Sequence, residues 1–571
     1  MTDNNLQKKV AELEAQVRKL KKNNLGLVFE DKTEDVVEQC QKQVPVLKEV
    51  IKNRINLGDG FTDNLLIEGD NYHSLSVLNY THKGKIDLIY IDPPYNTGNN
   101  DFIYNDQYID TEDAYRHSKW LSFMRNRLVL ARDLLKPTGL LFISIDDNEQ
   151  AHLRVLCDKI FGEANYRATI VVKGNPRGRD YGGIARTHDY ILVYSKTLES
   201  KILSITEESK EFPYEDKRGG FEVRELRNRN VAFNIRNRPN LYYPFYINPK
   251  KELDNGFFEI SLEKHKGWVE LFPKESQGEK TVWRWGKPKS LANLNTEIVA
   301  KRMKDGGYQI VEKYRKKEKM ARSIWDDKDV NTEKGTLLVK EVLGEKIFAY
   351  PKSVEMIMRI VEMASVSDHI TILDFFAGSG TTGHAVLKLN AEDGGSRKFI
   401  ICTNNEDNNG SGKKIATDIC YPRIKKAIKG YDDVAGIPSN LFYYQTDLVD
   451  IEQIHKVPDE AKIRITYQAG EMIAVREDAL NEVEKNDWWQ IFEGKGKLVA
   501  IYFKEDKAKL AELIVKLEKK NLPTALYIFS WGKNEYKGEY SSANILDHDI
   551  RTRILTFVFV LAPTENIQSR W

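Results

Sequence analysis

The sequence predicts an α/β fold built on a parallel sheet, and three observations carry that prediction. The run Ile86-Asp87-Leu88-Ile89-Tyr90-Ile91 is short, β-branched and almost uniformly apolar, as a buried parallel strand should be. A second strand, Ile370-Thr371-Ile372-Leu373, leads into Asp374-Phe375-Phe376-Ala377-Gly378-Ser379-Gly380 and a helix that opens at Thr381-Thr382. A third, Phe399-Ile400-Ile401-Cys402, follows that helix and completes a β-α-β unit.

The first strand stops at Asp92-Pro93-Pro94-Tyr95. Two prolines end the hydrogen-bonded ladder and fix the backbone, so Asp92 and Tyr95 sit on a rigid turn at a strand's carboxyl end, where open α/β sheets bind ligands. Such a turn suits a planar amine. The lone pair of an exocyclic amino group is delocalised into its ring, and a carboxylate and a proline carbonyl accepting its two N–H bonds would free it. Tyr95 would stack on the base, an interaction worth about 1–3 kcal/mol. A phenylalanine there would keep that face. The plain alternative is a strand-ending Pro-Pro turn with an exposed Asp.

In the second turn Gly378 and Gly380 lack Cβ atoms, so the backbone can turn tightly and a ligand can approach it. Polar residues Thr403-Asn404-Asn405-Glu406 follow the third strand, roughly 20 positions beyond the glycines, where a ribose hydroxyl is usually bound. Glu406 is the candidate acid. A glycine turn alone could also serve another nucleotide or merely pack a helix. Gly410-Ser411-Gly412-Lys413-Lys414 imitates the end of a phosphate loop, but Asp407 and Lys414 occupy its glycine and Ser/Thr positions, so it reads as a flexible loop.

A further strand, Leu65-Leu66-Ile67, ends at Glu68-Gly69-Asp70 and feeds a helix near Tyr72 to Tyr80. Leu140 to Ile145 and Tyr190 to Tyr194 read as more core strands. The N-terminus carries a heptad, Leu6, Val10, Leu13, Val17, Leu20, Asn24 and Leu27, whose Val and Leu positions favour a two-stranded parallel coil. A helix packed on its own chain is the bland alternative.

At 571 residues the chain exceeds a single core. No apolar run is long enough to span a membrane, and the charged N-terminus does not read as a signal peptide. Four scattered cysteines without a CxxC pair argue against a disulfide framework or a zinc site and fit a reducing cytoplasm. The net charge of +2 is uninformative, but its distribution is not. Residues 217–238 hold Arg218, Arg224, Arg227, Arg229, Arg236 and Arg238 among Asn228, Asn230, Asn234 and Asn237, the side-chain types that read guanine and adenine edges. A second basic run extends from Lys313 to Arg322. Both could be solvated faces. Their place between the two halves of the sheet favours DNA contact, with Arg224, Arg227, Arg229, Arg236 and Arg238 as candidates. Trp283-Arg284-Trp285 reads as packing for a small core.

These motifs resemble the β-class amino-methyltransferases that act on DNA, and within them the modification (Mod) subunits of type III restriction-modification systems. The resembling text includes LLIEGDN from Leu65, IDLIYIDPPYNTGN from Ile86, HSKWLSFMRNRLVLARDLL from His117 and YPKSVEMI from Tyr350. It also includes LDFFAGSGTTGHAVLKLN from Leu373, and it covers roughly residues 26–200 and 340–435. The resemblance implies a Rossmann-like class I S-adenosylmethionine-dependent methyltransferase fold. Its strands are circularly permuted, since the glycine turn, which opens the usual order, here comes after Asp70 and the proline motif. DPPY is similar to the adenine-N6 enzymes, whereas a Ser in place of Asp92 would have pointed to cytosine-N4.

By that resemblance Asp92, Pro93, Pro94 and Tyr95 are catalytic and S-adenosylmethionine is the cofactor. Asp70 lies near its adenine and Glu406 near its ribose. Asp374, Phe376, Gly378, Ser379, Gly380, Thr381 and Thr382 form the turn that cradles its methionine, where Asp92 also faces it. Pro351 and Lys352 belong to the segment that closes over the methionine end, and no metal is implied. The expected organisation is a coiled coil over residues 1–27, a catalytic half over 28–200, and a target-recognition domain over 201–344. A cofactor half over 345–445 and a C-terminal α/β appendage over 446–571 complete it. Expected partners are double-stranded DNA, a second copy of the chain, and a separate restriction (Res) helicase-nuclease subunit, since this chain has no Walker motif. A bacterial cytoplasmic, nucleoid-associated protein is implied. The alternatives are an orphan adenine enzyme, a cytosine-N4 enzyme, or methylation of RNA or protein, where Asn more often replaces Asp92.

Overall fold

The computed structural model describes residues 29–98, 101–105, 107–180, 183–206, 211–408, 410–450, 469–504, 506–528 and 545–549. The expected N-terminal coiled coil lies outside them. Two compact units are present, one formed by the described parts of 1–203 and 322–571, the other by those of 204–321.

The first unit is organised by a ten-stranded sheet. In chain order its strands are β1 (Gln43–Glu49), β2 (Asp63–Glu68), β3 (Ile86–Ile91), β4 (Leu135–Ile145), β5 (Tyr166–Val172), β6 (Asp189–Ser195), β7 (Ile324–Trp325), β8 (Thr371–Asp374), β9 (Lys398–Thr403) and β10 (Asn440–Asp450). Across the sheet they lie in the order β1-β10-β2-β9-β8-β3-β4-β6-β5-β7. The run from β10 to β4 is parallel throughout. β3 is buried along its whole length, as its unbroken apolar text requires.

Connections on either side of the β8–β3 pair run in opposite directions. The helix Arg116–Leu134 leads from β3 to β4 on one side, and the helix Thr381–Asp393 leads from β8 to β9 on the other. The carboxyl ends of β3 and β8 therefore flank a topological switch point, the crevice in which open α/β sheets hold ligands. Beyond β4 the pairing changes, for β6 is antiparallel to both β4 and β5. Its first residue, Asp189, is thereby carried to the same edge as the carboxyl ends of the parallel strands.

Three boundaries differ from those expected. The second unit ends at Ala321, so residues 322–344 belong with the first unit. The reason is backbone pairing, because Ile324 and Trp325 continue the sheet beside Val171 and Val172. The cofactor half does not stop at 445, since β10 runs unbroken to Asp450. The described C-terminal residues form the expected α/β element, a five-stranded sheet and the helix Lys507–Lys520 with a core of their own, but they also join the main core. Met472, Ile473, Phe492, Val499, Ile501 and Tyr527 share one continuous core with Leu65, Ile89 and Leu373.

The second unit is a seven-stranded antiparallel sheet over a core of Leu226, Tyr243, Phe245, Ile247, Ile298 and Ile310. Trp283 is buried in that core and donates from its indole to the Tyr243 carbonyl at 2.7 Å. It packs, as read from the sequence. All four cysteines are buried and unpaired. No helix among the described residues is long and apolar enough to cross a membrane.

Candidate active site

A cleft of about 1920 Å³ opens at the carboxyl edge of the parallel strands, lined by Asp70, Asp92, Pro93, Pro94, Tyr95, Lys352, Phe376, Gly378 and Glu406 among others. Residues remote in sequence meet here because β3, β8 and β9 end side by side. The remaining expected cofactor residues, Pro351, Asp374, Ser379, Gly380, Thr381 and Thr382, are buried behind that surface.

The proline turn is held from behind. The indole of Trp120, on the helix after β3, donates to the Pro94 carbonyl at 2.8 Å. In front, the Tyr95 hydroxyl donates to Oδ1 of Asp92 at 2.7 Å and accepts from Nζ of Lys352 at 2.6 Å. That ammonium also lies 3.5 Å from both Asp92 and Asp189. Lys352, expected at the cofactor's methionine end, is thus drawn into the proline motif's own network. Burial raises the Asp92 carboxyl above its ordinary range, although Lys352 and the Tyr95 hydroxyl pull it partly back. Burial alone would lower Lys352, but Asp92 and Asp189 outweigh it and hold the amine above its usual value.

This arrangement changes what Tyr95 is expected to do. As a stacking face alone, the ring would let phenylalanine keep most activity. The hydroxyl, however, bridges a half-buried carboxylate and a largely buried ammonium. Hydrogen bonds to charged groups contribute about 1.5–3 kcal/mol. Tyr95→Phe is therefore expected to lower kcat by roughly ten-fold or more, with Tyr95→Ala lower still. Equal kcat for Phe and Tyr in a steady-state methylation assay would return Tyr95 to a stacking role alone.

The glycine turn is tied together by buried side chains. Asp374 accepts from the Phe376 amide at 2.9 Å and from the Thr382 hydroxyl at 2.5 Å. Gly378 and Gly380 both adopt positive φ, +49° and +79°, the region that favours residues without a Cβ. Arg423, fully buried on the helix Tyr421–Lys429, donates to the Ser379 hydroxyl at 2.9 Å and the Thr381 hydroxyl at 2.8 Å. No sequence signal marked Arg423, since it lies in an ordinary amphipathic helix.

Burial pushes the Asp374 carboxyl up from its ordinary 3.8 to about 7. A folded-state value raised in this way favours the folded state most below the unfolded value, and that contribution is lost as pH rises through the folded one. Between about pH 4 and 7 Asp374 should therefore subtract stability as pH rises. Asp374→Asn is expected to flatten that part of the profile. Denaturant melts of both proteins across the window check it, and parallel curves would contradict it.

Asp70 caps the helix Asn71–Thr81, accepting from the Tyr72 amide at 2.6 Å, and its other oxygen lies 3.6 Å from buried Arg127. Glu406 is exposed at the cleft wall. Asn405 turns away from it, donating to Glu68 at 2.9 Å and accepting from the amides of Ala416 and Thr417.

Residues 86–418 match the family model described as DNA methylase. The chain belongs to the DNA methylase family. Among curated relatives, this methylase is 36% identical over 349 residues to the type II methyltransferase M.KpnI of Klebsiella pneumoniae, which covers 60% of this chain and 81% of that one. It is 36% identical over 380 residues to the type III EcoPI Mod subunit of Escherichia phage P1, covering 60% of this chain and 58% of that one. To the StyLTI Mod subunit of Salmonella typhimurium it is 31% identical over 390 residues, 64% and 56% of the two chains. The methylase thus spans less than two thirds of the length of these Mod subunits.

In the methylase's second unit the arginines do not stand free. Arg224 pairs with Glu222 at 2.7 Å and lies 3.2 Å over the Tyr314 ring. Arg227 and Arg229 share Glu225, at 2.8 and 2.7 Å, and Arg227 also donates to the Lys274 carbonyl. Arg236 pairs with Glu279, and Arg238 lies 5.9 Å from the Phe233 ring centre. Lys313 and Arg315, from the second basic run, both bind Asp216. Glu279, which a distant strand supplies, carries no mark in the run's own sequence.

Proposed function

We propose that the protein transfers a methyl group from S-adenosylmethionine to the N6 amine of adenine in duplex DNA, as the modification and specificity subunit of a type III restriction-modification system. The observation that carries this reading is the meeting of Asp92–Tyr95 and the glycine turn in one cleft at the sheet's switch point. The order of the motif strands along the chain supports a circularly permuted methyltransferase sheet.

The cleft suits the cofactor. A sulfonium nucleoside needs an aromatic wall, a backbone it can approach closely, and acids for its ribose and adenine. Phe376, Gly378, Glu406 and Asp70 supply these along one surface. When bound, S-adenosylmethionine supplies an electrophilic methyl group. Asp92 and a proline carbonyl accept the two N–H bonds of the target amine and localise its lone pair. Trp120 takes one of the two lone pairs of the Pro94 carbonyl, so Pro93 is the proline proposed for that task. The raised pKa of Asp92 also equips it to take the proton that the methylated nitrogen sheds. Bringing the base to Asp92 means leaving the stack, at a cost of a few kcal/mol.

Residues 204–321 are read as the recognition domain, on the strength of their arginine and asparagine content. Exposed ion pairs such as Arg229 with Glu225 contribute only about 0–1 kcal/mol, so a phosphate can replace the carboxylate. Arg229→Ala is expected to weaken DNA binding and reduce the salt slope by about one, with cofactor affinity unchanged. Arg227 is the poorer probe, because it is half-buried and braces the Lys274 backbone. An unchanged affinity and salt slope would make this run a solvated face.

A homodimer, supported by the N-terminal heptad, and a separate Res subunit, supported by the likeness to Mod subunits, complete the reading. A stand-alone enzyme is the second reading, favoured by the larger share of M.KpnI that the chain covers. Labelled methyl incorporation into DNA, RNA and protein tests the activity. N6-methyladenine in DNA at one short sequence is the expected product, and N4-methylcytosine or label confined to RNA or protein would overturn it. Co-purification of a polypeptide with a Walker motif separates the type III reading from the stand-alone one.

A further inference from the structure

A cluster behind the proline turn takes no part in the chemistry above. Glu149 lies at the start of the helix Gln150–Phe161 and is fully buried. Its side chain does not cap that helix. Instead Oε1 accepts from Nδ2 of Asn96 at 2.6 Å and pairs with Nδ1 of His117 at 2.6 Å, while Oε2 pairs with Nδ1 of His152 at 2.9 Å. The two imidazoles are half-exposed, with ring centres 4.7 Å apart.

Asn96 directly follows Tyr95, and it too is fully buried. Its backbone is left-handed, with φ +57°. A non-glycine residue persists in that conformation where its surroundings over-determine it. Here the surroundings are Glu149 and the Arg116 carbonyl, both of which accept from the Asn96 amide. Trp120 holds the Pro94 carbonyl just upstream. The turn that presents Asp92 and Tyr95 is thus fastened on both sides.

We propose that Glu149 is a positioning residue for methyl transfer, a buried anion that pins Asn96 and so fixes the Asp92–Tyr95 turn. The inference rests on the methyltransferase reading of that turn. His117 and His152 complete the carboxylate's hydrogen bonds from the solvent side. A metal held by the same three side chains fits less well. Arg116 donates from Nε to Nε2 of His117, which places the ring proton on Nδ1, the atom that faces Glu149.

The test uses the full chain and three independent readouts. Tritiated methyl transfer into unmethylated genomic DNA measures kcat, and calorimetry measures S-adenosylmethionine affinity. Hydrogen–deuterium exchange of residues 95–98 reports the turn directly, without any need for activity. Glu149→Gln is expected to lower kcat by about 10- to 100-fold, the effect of misplacing a reacting group. Cofactor affinity and the exchange of β3 and β8 should stay as in the parent, while residues 95–98 exchange faster. Asn96→Asp, which sets two carboxylates against each other, should lose as much. The double variant Asn96→Asp/Glu149→Gln restores a donor–acceptor pair with the roles reversed and should recover at least part of the loss. Unchanged exchange at 95–98 in Glu149→Gln would overturn the proposal. So would a kcat loss matched by equal losses of cofactor affinity and melting temperature, or a double variant no better than the worse single one. A parent chain that labels no DNA would instead overturn the methyltransferase reading, and the exchange result would still decide whether Glu149 holds the turn.

Discussion

Replacing Asp92 by alanine is expected to abolish methyl transfer while the cofactor still binds. In the proposed reaction its carboxylate is the acceptor for the target amine and for the proton that must leave it. A side chain in that role contributes about 10²–10⁴-fold to rate. Removing it also strands Lys352, which would keep only Asp189 and the Tyr95 hydroxyl as polar partners. Asp92→Asn is the informative companion, because the amide keeps the shape and one acceptor but cannot take the proton. Single-turnover methylation at saturating DNA, with calorimetric affinity for S-adenosylmethionine, checks both. A loss of cofactor affinity as large as the loss of rate would place Asp92 in the cofactor's site rather than the amine's.

Gly378→Val should remove S-adenosylmethionine binding from a protein that still melts cooperatively. Two costs combine at this position. The backbone sits at φ +49°, where an L side chain is strained by about 1–2 kcal/mol. A Cβ built there would also meet the Phe348 ring at 3.0 Å, inside ordinary contact distance. Both Gly378 and Phe348 line the cleft, so relief by moving Phe348 reshapes the wall proposed to receive the cofactor. Gly378→Ala keeps the backbone strain with a smaller intrusion and should fall between. Parent-like affinity in the valine variant would place the cofactor elsewhere in the cleft.

The strands were legible because their text is one-dimensional. Ile86–Ile91 forms a strand over the very residues its apolar run marks, and Lys398–Thr403 extends its expected core by one residue at each end. The glycines were legible because a positive φ leaves a residue-type signature, visible at Gly378 and Gly380. Asp189 was not. An acid at the start of a strand carries no mark, and only the antiparallel pairing of β6 brings it to the active edge. Arg423 and Glu149 were hidden for a related reason. Each is a polar residue at a helix position where solvent exposure is the ordinary expectation, and only packing reveals that both are fully buried.

By itself, the sequence determined the conformation of the two turns, because a proline-locked carboxylate and a glycine-rich loop are properties of short contiguous segments. It also determined the parallel sheet beneath them, through apolar runs that are buried on both faces. Tertiary structure alone decided which residues act together. It tied Lys352 to the Asp92–Tyr95 pair, joined residues 322–344 to the first unit, and paired Arg236 with a glutamate from a distant strand. Long-range pairing sets these distances, and a side chain's charge partners depend on distance rather than on position along the chain.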